Sequence, residues 1–507
     1  MPPPGSDSLA ARLRSLVGDR ADLRSDSRAV RAGDAFAALP GRHADGRSYI
    51  EQACERGAGA ILVEEDGWAG GAWPVPVLAV PGLARAMGPI ASSFYGHPSR
   101  AMRTVGITGT NGKTSTCQWI AAALTGSGTR CAAFGTLGCG FAGDPFPGTY
   151  GLTTPQPADL HRLARAALDA GAAALALEAS SIGLEQGRLE GFCIDIALFT
   201  NLSRDHLDYH GDMERYGLAK RRLFEQPGLS HAVVHADDPF GHRLAEDLVA
   251  RGLAVTATGE AARTLARAPA VVLRASSVEH LDGGMRLRIE RTAGGAREEA
   301  SATLGLLGAF NAANVLGVTG VLLACGLPFA QAVSCLERLR PPPGRLEPVG
   351  DGSGGVLPVI DYAHTPDALE KALAALRPLA QARGGRLWVV FGAGGDRDRG
   401  KRPLMGLAAA RGADAIVLTS DNPRSEPPEG ILDEIAAGIP QGIAYEREAD
   451  RALAIERALG AAAPRDVVLI AGKGHEATQE IAGRSLPFSD REEARICLRK
   501  GGGTGWN

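Results

Sequence analysis

An apolar stretch that runs into a glycine-rich turn decides the fold of the central part of this chain: Val105-Gly106-Ile107-Thr108-Gly109-Thr110-Asn111-Gly112-Lys113-Thr114. The pattern predicts a strand, a loop and then a helix that continues to about Leu124. Glycines let backbone N–H groups approach an anion closely, and the dipole of the following helix adds positive potential at the same point. Lys113 would reach the β- and γ-phosphates of a nucleotide, and the Thr114 hydroxyl would bind Mg²⁺.

The spacing of this phosphate loop departs from the common G-x-x-x-x-G-K-[ST] pattern, because Ile107 occupies the position of the first glycine. Gly106 lies one residue earlier, and Gly109 supplies a second, inner glycine. The alternative is a glycine-rich turn that binds nothing. A Gly-Lys-Thr-Ser sequence between a predicted strand and a predicted helix favours the phosphate site.

The length and composition of the chain limit its class. At 507 residues, two to four domains are expected. A hydrophobic content of 45% indicates an ordinary soluble protein, and a net charge of −3 gives no general attraction to nucleic acid. The eight cysteines form no Cys-x-x-Cys pair, so reduced thiols in a cytoplasmic protein are expected. We expect neither a signal peptide nor a membrane span.

Alternating strand and helix signals predict an α/β protein with three domains. Residues 1–100 would form a small N-terminal α/β domain. Residues 101–340 would form a parallel sheet around the phosphate loop, with short antiparallel strands appended over residues 254–303. A proline-rich linker at 341–345 would lead to a C-terminal, Rossmann-like, doubly wound domain over residues 341–507.

Polar clusters follow the predicted strands of the second and third domains. In the second domain they contain Glu178 after one strand and His206 after another. In the third they occupy residues 362–366, 394–398, 420–424 and 472–476. Ligands bind outside the carboxyl ends of parallel strands, so each set should share one edge of its sheet. A carboxylate and an imidazole can both bind a divalent metal, although a capping carboxylate and a hydrogen-bonded loop histidine remain alternatives.

In combination, these motifs resemble those of the Mur ligases, the ATP-dependent amide-forming enzymes of peptidoglycan precursor synthesis. The resemblance covers all three predicted domains. It rests on GTNGKT at 109–114, EASS at 178–181, NLSRDHLD at 201–208 and GAFNAAN at 308–314.

Within the family, the chain is most similar to members that add the third amino acid to UDP-N-acetylmuramoyl-L-alanyl-D-glutamate. DSR at 26–28 and GRHADG at 41–46 are similar to their UDP-binding domain, and DNPR at 421–424 is similar to the signature of members that add meso-2,6-diaminopimelate. The resemblance implies a monomeric cytoplasmic ligase that uses ATP and Mg²⁺ and forms an acyl phosphate.

The resemblance also implies roles for residues of the second domain. The residues that it assigns to catalysis are Lys113, Glu178, His206 and Lys220, the last as a carbamate formed with CO₂. Those assigned to metal binding are Thr114, Glu178, His206 and the Lys220 carbamate. Those assigned to ATP are Gly109, Thr110, Asn111, Gly112, Lys113, Thr114, Ser115 and Asn311.

Two further groups of residues are assigned to the other substrates. The UDP-muramoyl-dipeptide group contains Ser25, Ser27, Arg42, His43, Ala44, Thr153, Thr154, Ser180, Gln186 and Arg188. Leu152 replaces the asparagine that often precedes the threonine pair. The diaminopimelate group contains Arg397, Asp421, Asn422, Pro423, Arg424, Gly472 and Glu476.

The guanidinium of Arg424 can pair with the distal carboxylate of diaminopimelate, and the Glu476 carboxylate can accept a hydrogen bond from its ammonium. Lysine lacks that carboxylate and would leave Arg424 unpaired. An unpaired buried charge of this kind gives a discrimination on the order of 10³ or more.

Other functions remain open at this stage. A folylpolyglutamate synthetase shares the phosphate loop but should lack the UDP-binding domain and the DNPR loop. The lysine-adding ligase, or another Mur ligase, is a second alternative. A GTPase should contain an Asn/Thr-Lys-x-Asp motif, which the sequence lacks, and an inactive homologue should have lost at least one of the four catalytic residues, all of which are present.

Overall fold

The computed structural model describes residues 5–41, 44–141, 144–146, 151–281, 283–350 and 355–501. The chain divides into two compact units. Unit 1 contains Met1–Arg274, Arg291–Arg297 and Leu316–Ala332, and unit 2 contains Ala275–Glu290, Glu298–Val315 and Val333–Asn507. The predicted domain boundaries near residues 100 and 340 stay a prediction.

Unit 1 begins with a parallel sheet whose strand order follows the sequence. Its strands are β1 (Leu23–Arg24), β2 (Ala35–Ala38), β3 (Ala60–Glu64) and β4 (Val77–Val80). Its helices are α1 (Ser6–Val17), α2 (Ile50–Glu55) and α3 (Leu83–Phe94), with three-residue-per-turn helices at Ser27–Ala29, Gly46–Tyr49 and Pro98–Ala101. Buried aliphatic residues of β2 and β3 pack against α1 and α3, which explains the continuous apolar character of these strands.

A second sheet carries the phosphate loop. Its strands in unit 1 are β5 (Arg103–Thr108), β6 (Cys131–Gly135), β7 (Gly138–Phe141), β8 (Asp144–Pro145), β9 (Ala174–Glu178), β10 (Ile196–Phe199), β11 (His231–His235) and β12 (Ala254–Thr258). They lie in the order β12-β11-β10-β5-β9-β6-β7-β8, parallel from β12 to β6 and antiparallel from β6 to β8. β5 therefore lies between β9 and β10, the two strands that precede the polar clusters.

Helices and three-residue-per-turn helices connect these strands. They are α4 (Lys113–Gly126), α5 (Pro157–Asp169), α6 (Ser181–Glu185), α7 (Leu207–His210), α8 (Met213–Arg221), Arg222–Glu225, α9 (Pro239–Ala250) and Glu260–Thr264. Further along the chain come α10 (Phe310–Ala324) and α11 (Phe329–Leu336). The helix predicted after the phosphate loop is confirmed as α4.

The prediction for residues 254–303 is wrong in two respects. β12 is a parallel strand of the main sheet, and the first residues of the next strand, β13 (Val271–Leu281), pair with it in parallel. The strands β13, β14 (Gly284–Ala293) and β15 (Ala296–Leu304), neighbours in that order, are also long rather than short. Alternating side chains indicate a half-exposed strand, but they do not determine the direction of its neighbour.

The C-terminal part of unit 2 contains a third sheet. Its strands are β16 (Glu347–Pro348), β17 (Leu357–Asp361), β18 (Leu387–Phe391), β19 (Ala415–Leu418), β20 (Glu446–Arg447) and β21 (Val467–Ala471), in the order β16-β17-β21-β18-β19-β20. All neighbours are parallel except the pair formed by β16 and β17. The helices are α12 (Pro366–Arg383), α13 (Lys401–Gly412), α14 (Pro428–Ala436), α15 (Arg451–Ala461) and α16 (Asp490–Gly501).

Both faces of the third sheet are buried, as expected for a doubly wound fold. After β21, a hairpin of β22 (Thr478–Ile481) and β23 (Arg484–Pro487) precedes the next helix. The proline-rich linker also packs at its end, because Tyr362 donates its backbone N–H to the Gly344 carbonyl at 2.9 Å.

In the described part of the chain, none of the helices combines the length and apolar character that a membrane crossing requires. All eight cysteines are free thiols, as the sequence predicts.

His161 on α5 gives the fold a pH dependence. The side chain is fully buried, with its ring centroid 5.4 Å from that of Phe192, and burial lowers its pKa to about 4. The folded chain keeps this imidazole neutral, whereas the unfolded chain protonates it below about pH 6.5. Stability is therefore present above pH 6.5 and is lost as the pH falls toward 4, by about 2 kcal/mol at pH 5.

The free energy of unfolding should fall between pH 7 and pH 5, and we expect His161→Leu to reduce that fall. The measurement is urea denaturation of the protein at each pH, followed by a spectroscopic signal from unit 1. His242→Leu, at a partly exposed helix position, is the control and should follow the wild-type pH dependence. An identical pH slope in wild type and His161→Leu would contradict this account.

Candidate functional site

The phosphate loop connects the end of β5 to the start of α4 and lies against the segment that follows β10. Gly109 has φ +149°, and a Cβ there would be 1.8 Å from the Thr200 hydroxyl oxygen. Gly112 has φ +83° and precedes the first residue of α4. A close approach and a left-handed conformation therefore require the two glycines that the sequence places in this loop.

One hydrogen bond between backbone groups and two that involve side chains hold the loop in place. Thr110 donates its backbone N–H to the Asn201 carbonyl at 2.8 Å, and Asn111 donates its own to Asn201 Oδ1 at 3.0 Å. The Thr200 hydroxyl donates to the Asn111 carbonyl at 2.7 Å. The NLSRDHLD segment therefore acts first as a support for the phosphate loop.

Two lysines meet at one carbonyl oxygen of the loop. Lys113 Nζ donates to the Gly109 oxygen at 2.9 Å and to the Thr110 oxygen at 2.9 Å, and Lys220 Nζ donates to the Gly109 oxygen at 2.7 Å. Lys220 on α8 is buried, whereas most lysines on helices face the solvent. Burial, together with the charge of Lys113, lowers the pKa of Lys220 well below its usual value.

Tyr216 links Lys220 to the loop from one turn earlier on α8. The Lys220 ammonium lies 4.3 Å from the centroid of the Tyr216 ring. The Tyr216 hydroxyl is 3.2 Å from the hydroxyl of Thr110. The ring contact and this hydrogen bond place the buried amine beside the loop.

Glu178, the last residue of β9, lies beside Ile107 of β5 in the register of the sheet. Its buried carboxylate accepts hydrogen bonds from the Thr114 hydroxyl at 3.0 Å and from the Thr136 backbone N–H at 2.8 Å. A Cβ on Gly135 would lie 2.0 Å from Glu178 Oε1, so only glycine leaves room for this carboxylate. Thr114 and Glu178 thus offer adjacent oxygen ligands of the kind that Mg²⁺ prefers, and they fit that ion.

His206 is placed differently. It has φ +51° and a half-exposed side chain, with Nε2 3.6 Å from an oxygen of Asp205. Among the described residues, no group of three or more His, Cys, Asp or Glu side chains is arranged to hold a metal ion. The four-member metal set, including Lys220 as a carbamate, therefore stays a prediction.

Five residues predicted to bind the muramoyl-dipeptide form one hydrogen-bonded group next to Glu178. The Thr154 hydroxyl donates to the Glu178 carbonyl at 2.8 Å and lies 2.9 Å from the Ser180 hydroxyl. The group is completed by Thr153, whose hydroxyl is 3.2 Å from that of Thr136, and by Arg188, which donates to the Thr154 carbonyl at 2.7 Å and to Gln186 Oε1 at 2.7 Å. Leu152 beside them is exposed.

The residues of the predicted first domain that were assigned to the UDP-muramoyl-dipeptide lie in two separate segments. Ser27 is buried and donates to Gln52 Oε1 at 2.6 Å, and Ser25 lies two residues before it. Ala44 lies in an exposed loop, where its carbonyl accepts the Gly41 N–H at 3.0 Å. Arg42 and His43 lie outside the described residues, so their roles stay predictions.

In unit 2, the four polar loops begin at one edge of the third sheet. The register places Asp361, Ala471, Phe391 and Leu418 side by side at the carboxyl ends of their strands. The sequence prediction of a shared edge is therefore confirmed.

Lys473 joins two residues of the predicted diaminopimelate group. Its buried Nζ donates to Asn422 Oδ1 and to Glu476 Oε2, each at 2.9 Å, and Asn422 Nδ2 donates to Glu476 Oε2 at 2.8 Å. Burial by itself would raise the pKa of Glu476, but the charge and hydrogen bond of Lys473 outweigh it and the pKa is lowered. Glu476 is therefore an ionised acceptor near neutral pH.

Asp421 and Gly472 contact each other closely behind this group. The Asp421 carboxylate is buried, and a Cβ on Gly472 would lie 2.5 Å from its Oδ2. Arg451 stiffens the same region by donating to the Ser420 carbonyl at 3.0 Å and to the Ala471 carbonyl at 2.9 Å.

Arg424 lies at the front of the edge in a left-handed conformation, with φ +53°. Its Nη1 donates to the Gly395 carbonyl at 2.7 Å, and its Nε is 3.2 Å from Glu480 Oε2. Arg397, which is exposed, flanks the same Gly394–Gly395 turn, and the Pro423 carbonyl packs against Gly395. The assumption that lysine would leave Arg424 without a partner is therefore wrong, since Glu480 supplies one.

Asn311 is buried in unit 2, where its side chain donates to the Leu307 carbonyl at 2.7 Å and accepts from Asn314 at 3.0 Å. These bonds fix the start of α10. Its contact with ATP stays a prediction, as does that of Ser115, which is buried on α4.

Sequence reasoning missed Thr136, Tyr216, Lys473 and Glu480. Tyr216 could have been found, because it lies four residues before Lys220 and shares its helix face. Lys473 lies inside the loop that was singled out. Thr136 and Glu480 carried no local signal, since their partners are far away in the sequence.

Three family models of known proteins match successive parts of the chain. The model for the Mur ligase family catalytic domain matches residues 22–95, the Mur ligase middle domain matches 107–322, and the Mur ligase glutamate ligase domain matches 344–474. The chain therefore belongs to the Mur ligase family, and it is an ATP-dependent, amide-forming ligase with the predicted α/β fold.

Several relatives are similar over nearly their whole length. A UDP-N-acetylmuramoyl-L-alanyl-D-glutamate--2,6-diaminopimelate ligase from Janthinobacterium sp. (strain Marseille) is 49% identical, with 97% of each chain covered. A ligase of the same name from Coxiella burnetii (strain RSA 493 / Nine Mile phase I) is 45% identical, with 97% of this chain and 99% of the relative covered.

Solved structures show the same fold. One described as a UDP-N-acetylmuramoyl-L-alanyl-D-glutamate--2,6-diaminopimelate ligase is 33% identical, with a TM-score of 0.64 and 95% of each chain covered. A folylpolyglutamate synthase from Mycobacterium tuberculosis is 18% identical, with a TM-score of 0.58 over 77% of this chain and 92% of its own, and shares the fold alone.

The tight space around Glu178 gives a test of the site. We expect Gly135→Ala to push the Glu178 carboxylate away from Thr114 and to lower ATP-dependent phosphate release by about 10²-fold, since small displacements of catalytic groups are costly. The circular dichroism spectrum should stay unchanged. Gly460→Ala, where an added methyl group meets no atom within 4 Å, is the control. Full activity of Gly135→Ala would rule out a role for the Glu178 position.

Proposed function

We propose that this chain joins meso-2,6-diaminopimelate to the D-glutamate γ-carboxylate of UDP-N-acetylmuramoyl-L-alanyl-D-glutamate, at the expense of ATP. The single observation that carries the choice of amino acid is the sheet edge in unit 2, where Arg424 and Glu476 offer a cation and an anion. Diaminopimelate has a distal carboxylate and a distal ammonium, which complement these two charges. The names of the near-full-length relatives support the same substrates.

The first step uses the phosphate loop. The γ-carboxylate oxygen attacks the γ-phosphorus of ATP, the bond to ADP breaks, and an acyl phosphate forms. Lys113 and the N–H groups at the start of α4 would stabilise the negative charge on the transferring group. Mg²⁺, held by Thr114 and Glu178 and with His206 as a further predicted ligand, would neutralise charge on the phosphates.

The hydrogen-bonded group around Thr154 would orient the dipeptide. Its hydroxyls lie next to the Glu178 backbone, and Arg188 adds a positive charge on the same side. This arrangement supports binding of a carboxylate substrate close to the metal ligands. Ser25, Ser27, Arg42, His43 and Ala44 would contact the UDP portion.

In the second step, the amine of diaminopimelate attacks the carbonyl carbon of the acyl phosphate. A tetrahedral intermediate forms, phosphate leaves, and the nitrogen loses a proton. Arg397, Asn422 and Arg424 would hold the distal carboxylate, and Glu476 with the Gly472 loop would hold the ammonium.

Lys220 would act as a carbamate. Its burial and the nearby charge of Lys113 favour the neutral amine, whose lone pair can attack the carbon of CO₂ with loss of one proton. The product is an anion in place of a cation. It would remove the repulsion from Lys113 and could contribute to metal binding. The protein is proposed to be a monomer.

The amino-acid preference is tested by phosphate release with UDP-N-acetylmuramoyl-L-alanyl-D-glutamate, Mg²⁺ and ATP. We expect faster turnover with meso-diaminopimelate than with L-lysine, because only the former offers a carboxylate to Arg424. Arg424→Lys should raise the KM for diaminopimelate by at least about tenfold and leave the KM for ATP unchanged. Faster turnover with lysine would instead favour the lysine-adding reaction.

For the carbamate, we expect Lys220→Ala to lose activity and to recover part of it with added formate or acetate, which supply the missing carboxylate. A ¹³C resonance from ¹³CO₂-treated wild type, absent in the variant, would identify the modified amine directly. Lys500→Ala, at an exposed lysine, is the control. Wild-type activity of Lys220→Ala in CO₂-free buffer would contradict this role.

A further inference from the structure

Glu480 forms an ion pair with the guanidinium of Arg424, the group that we propose recognises the substrate. It lies on β22, and its Oε2 is 3.2 Å from Arg424 Nε. Nη1 of the same arginine donates a hydrogen bond to the Gly395 carbonyl at 2.7 Å. A carboxylate of the protein itself thus lies beside the guanidinium to which we propose that a substrate carboxylate binds.

The backbone fixes Glu480 at this position independently of its side chain. Arg424 donates its N–H to the Glu480 carbonyl at 3.0 Å, and Ala482 donates to the Arg424 carbonyl at 2.7 Å. Glu480 also donates its own N–H to Asn422 Oδ1 at 3.0 Å. Arg424 and Ile481 form a bridge of parallel type, so β22 is paired with the loop that carries the recognition residues.

The two side chains remain accessible to solvent, with 25% of Arg424 and 48% of Glu480 exposed. An ion pair in this setting is weak and can rearrange when a better partner arrives. Arg424 is therefore a cation with a replaceable counter-ion rather than one locked into a buried pair.

From this geometry we infer that Glu480 is a specificity-determining residue, the internal counter-ion of Arg424, which competes with the distal carboxylate of the incoming amino acid. The inference rests on the proposed function, since it takes Arg424 as the carboxylate-binding group. Glu480 acts through Arg424, so it is a positioning residue and not a catalytic one.

Two consequences follow for the two amino acids. When diaminopimelate binds, two carboxylates face one guanidinium, and their repulsion weakens binding. When lysine binds, Glu480 keeps Arg424 neutralised and shields the ammonium of lysine from the guanidinium. Glu480 thus lowers the discrimination that Arg424 alone would give.

We expect Glu480→Gln to lower the KM for diaminopimelate by about twofold to fivefold and to raise that for lysine by a similar factor, the range for an exposed ion pair. The kcat with diaminopimelate should not change. Glu480→Asp, which keeps the charge, should restore values close to wild type. Glu492→Gln, which removes another exposed carboxylate paired with an arginine of unit 2, is the control and should have no effect.

An unchanged or increased KM for diaminopimelate in Glu480→Gln would overturn the inference. A second measurement does not depend on turnover. In ¹⁵N-arginine-labelled protein without substrates, the Arg424 Nε–H resonance, assigned from its loss in Arg424→Lys, should shift in Glu480→Gln. If wild type fails to use diaminopimelate, the proposed function fails, whereas absence of the resonance shift overturns the ion pair itself.

Discussion

The parallel pairing of β5 with β9 on one side and β10 on the other is the constraint on which the phosphate site depends. It places Ile107 beside Glu178 and Thr108 beside Phe199, so the phosphate loop emerges between two polar segments. The loop has no regular structure of its own to hold it. Its backbone forms hydrogen bonds with Thr200 and Asn201. These two residues directly follow β10 and therefore lie beside the loop.

Charge balance is the second theme of this site. Two ammonium groups share the Gly109 carbonyl, and a buried carboxylate lies one strand away. Bringing two cations together in a buried position is unfavourable unless one of them gives up its charge. Burial of the Lys220 side chain, and after it the charge of Lys113, lower the pKa of Lys220, so the packing of α8 favours the neutral amine.

The third sheet bears the site at which we propose that a zwitterion is recognised. Lys473 holds Glu476 ionised and fixes Asn422, while Glu480 balances Arg424 on the other side. Arg424 and Glu476 therefore each have a charged partner within the protein. The selectivity of such a site depends on which of these partners a substrate can replace, and not only on the charges that it displays.

The sequence by itself determined the elements and the residue types of the sites, because strand periodicity, the glycines at 109 and 112 and the motif spacing are local properties. It correctly predicted that Glu178 would join the phosphate loop at one sheet edge. Only the tertiary structure decided that β12 and β13 pair in parallel, that Lys220 is buried, and that Glu480 is the partner of Arg424. These contacts join residues far apart in the chain, and their energies arise from burial and close approach, which no local pattern encodes.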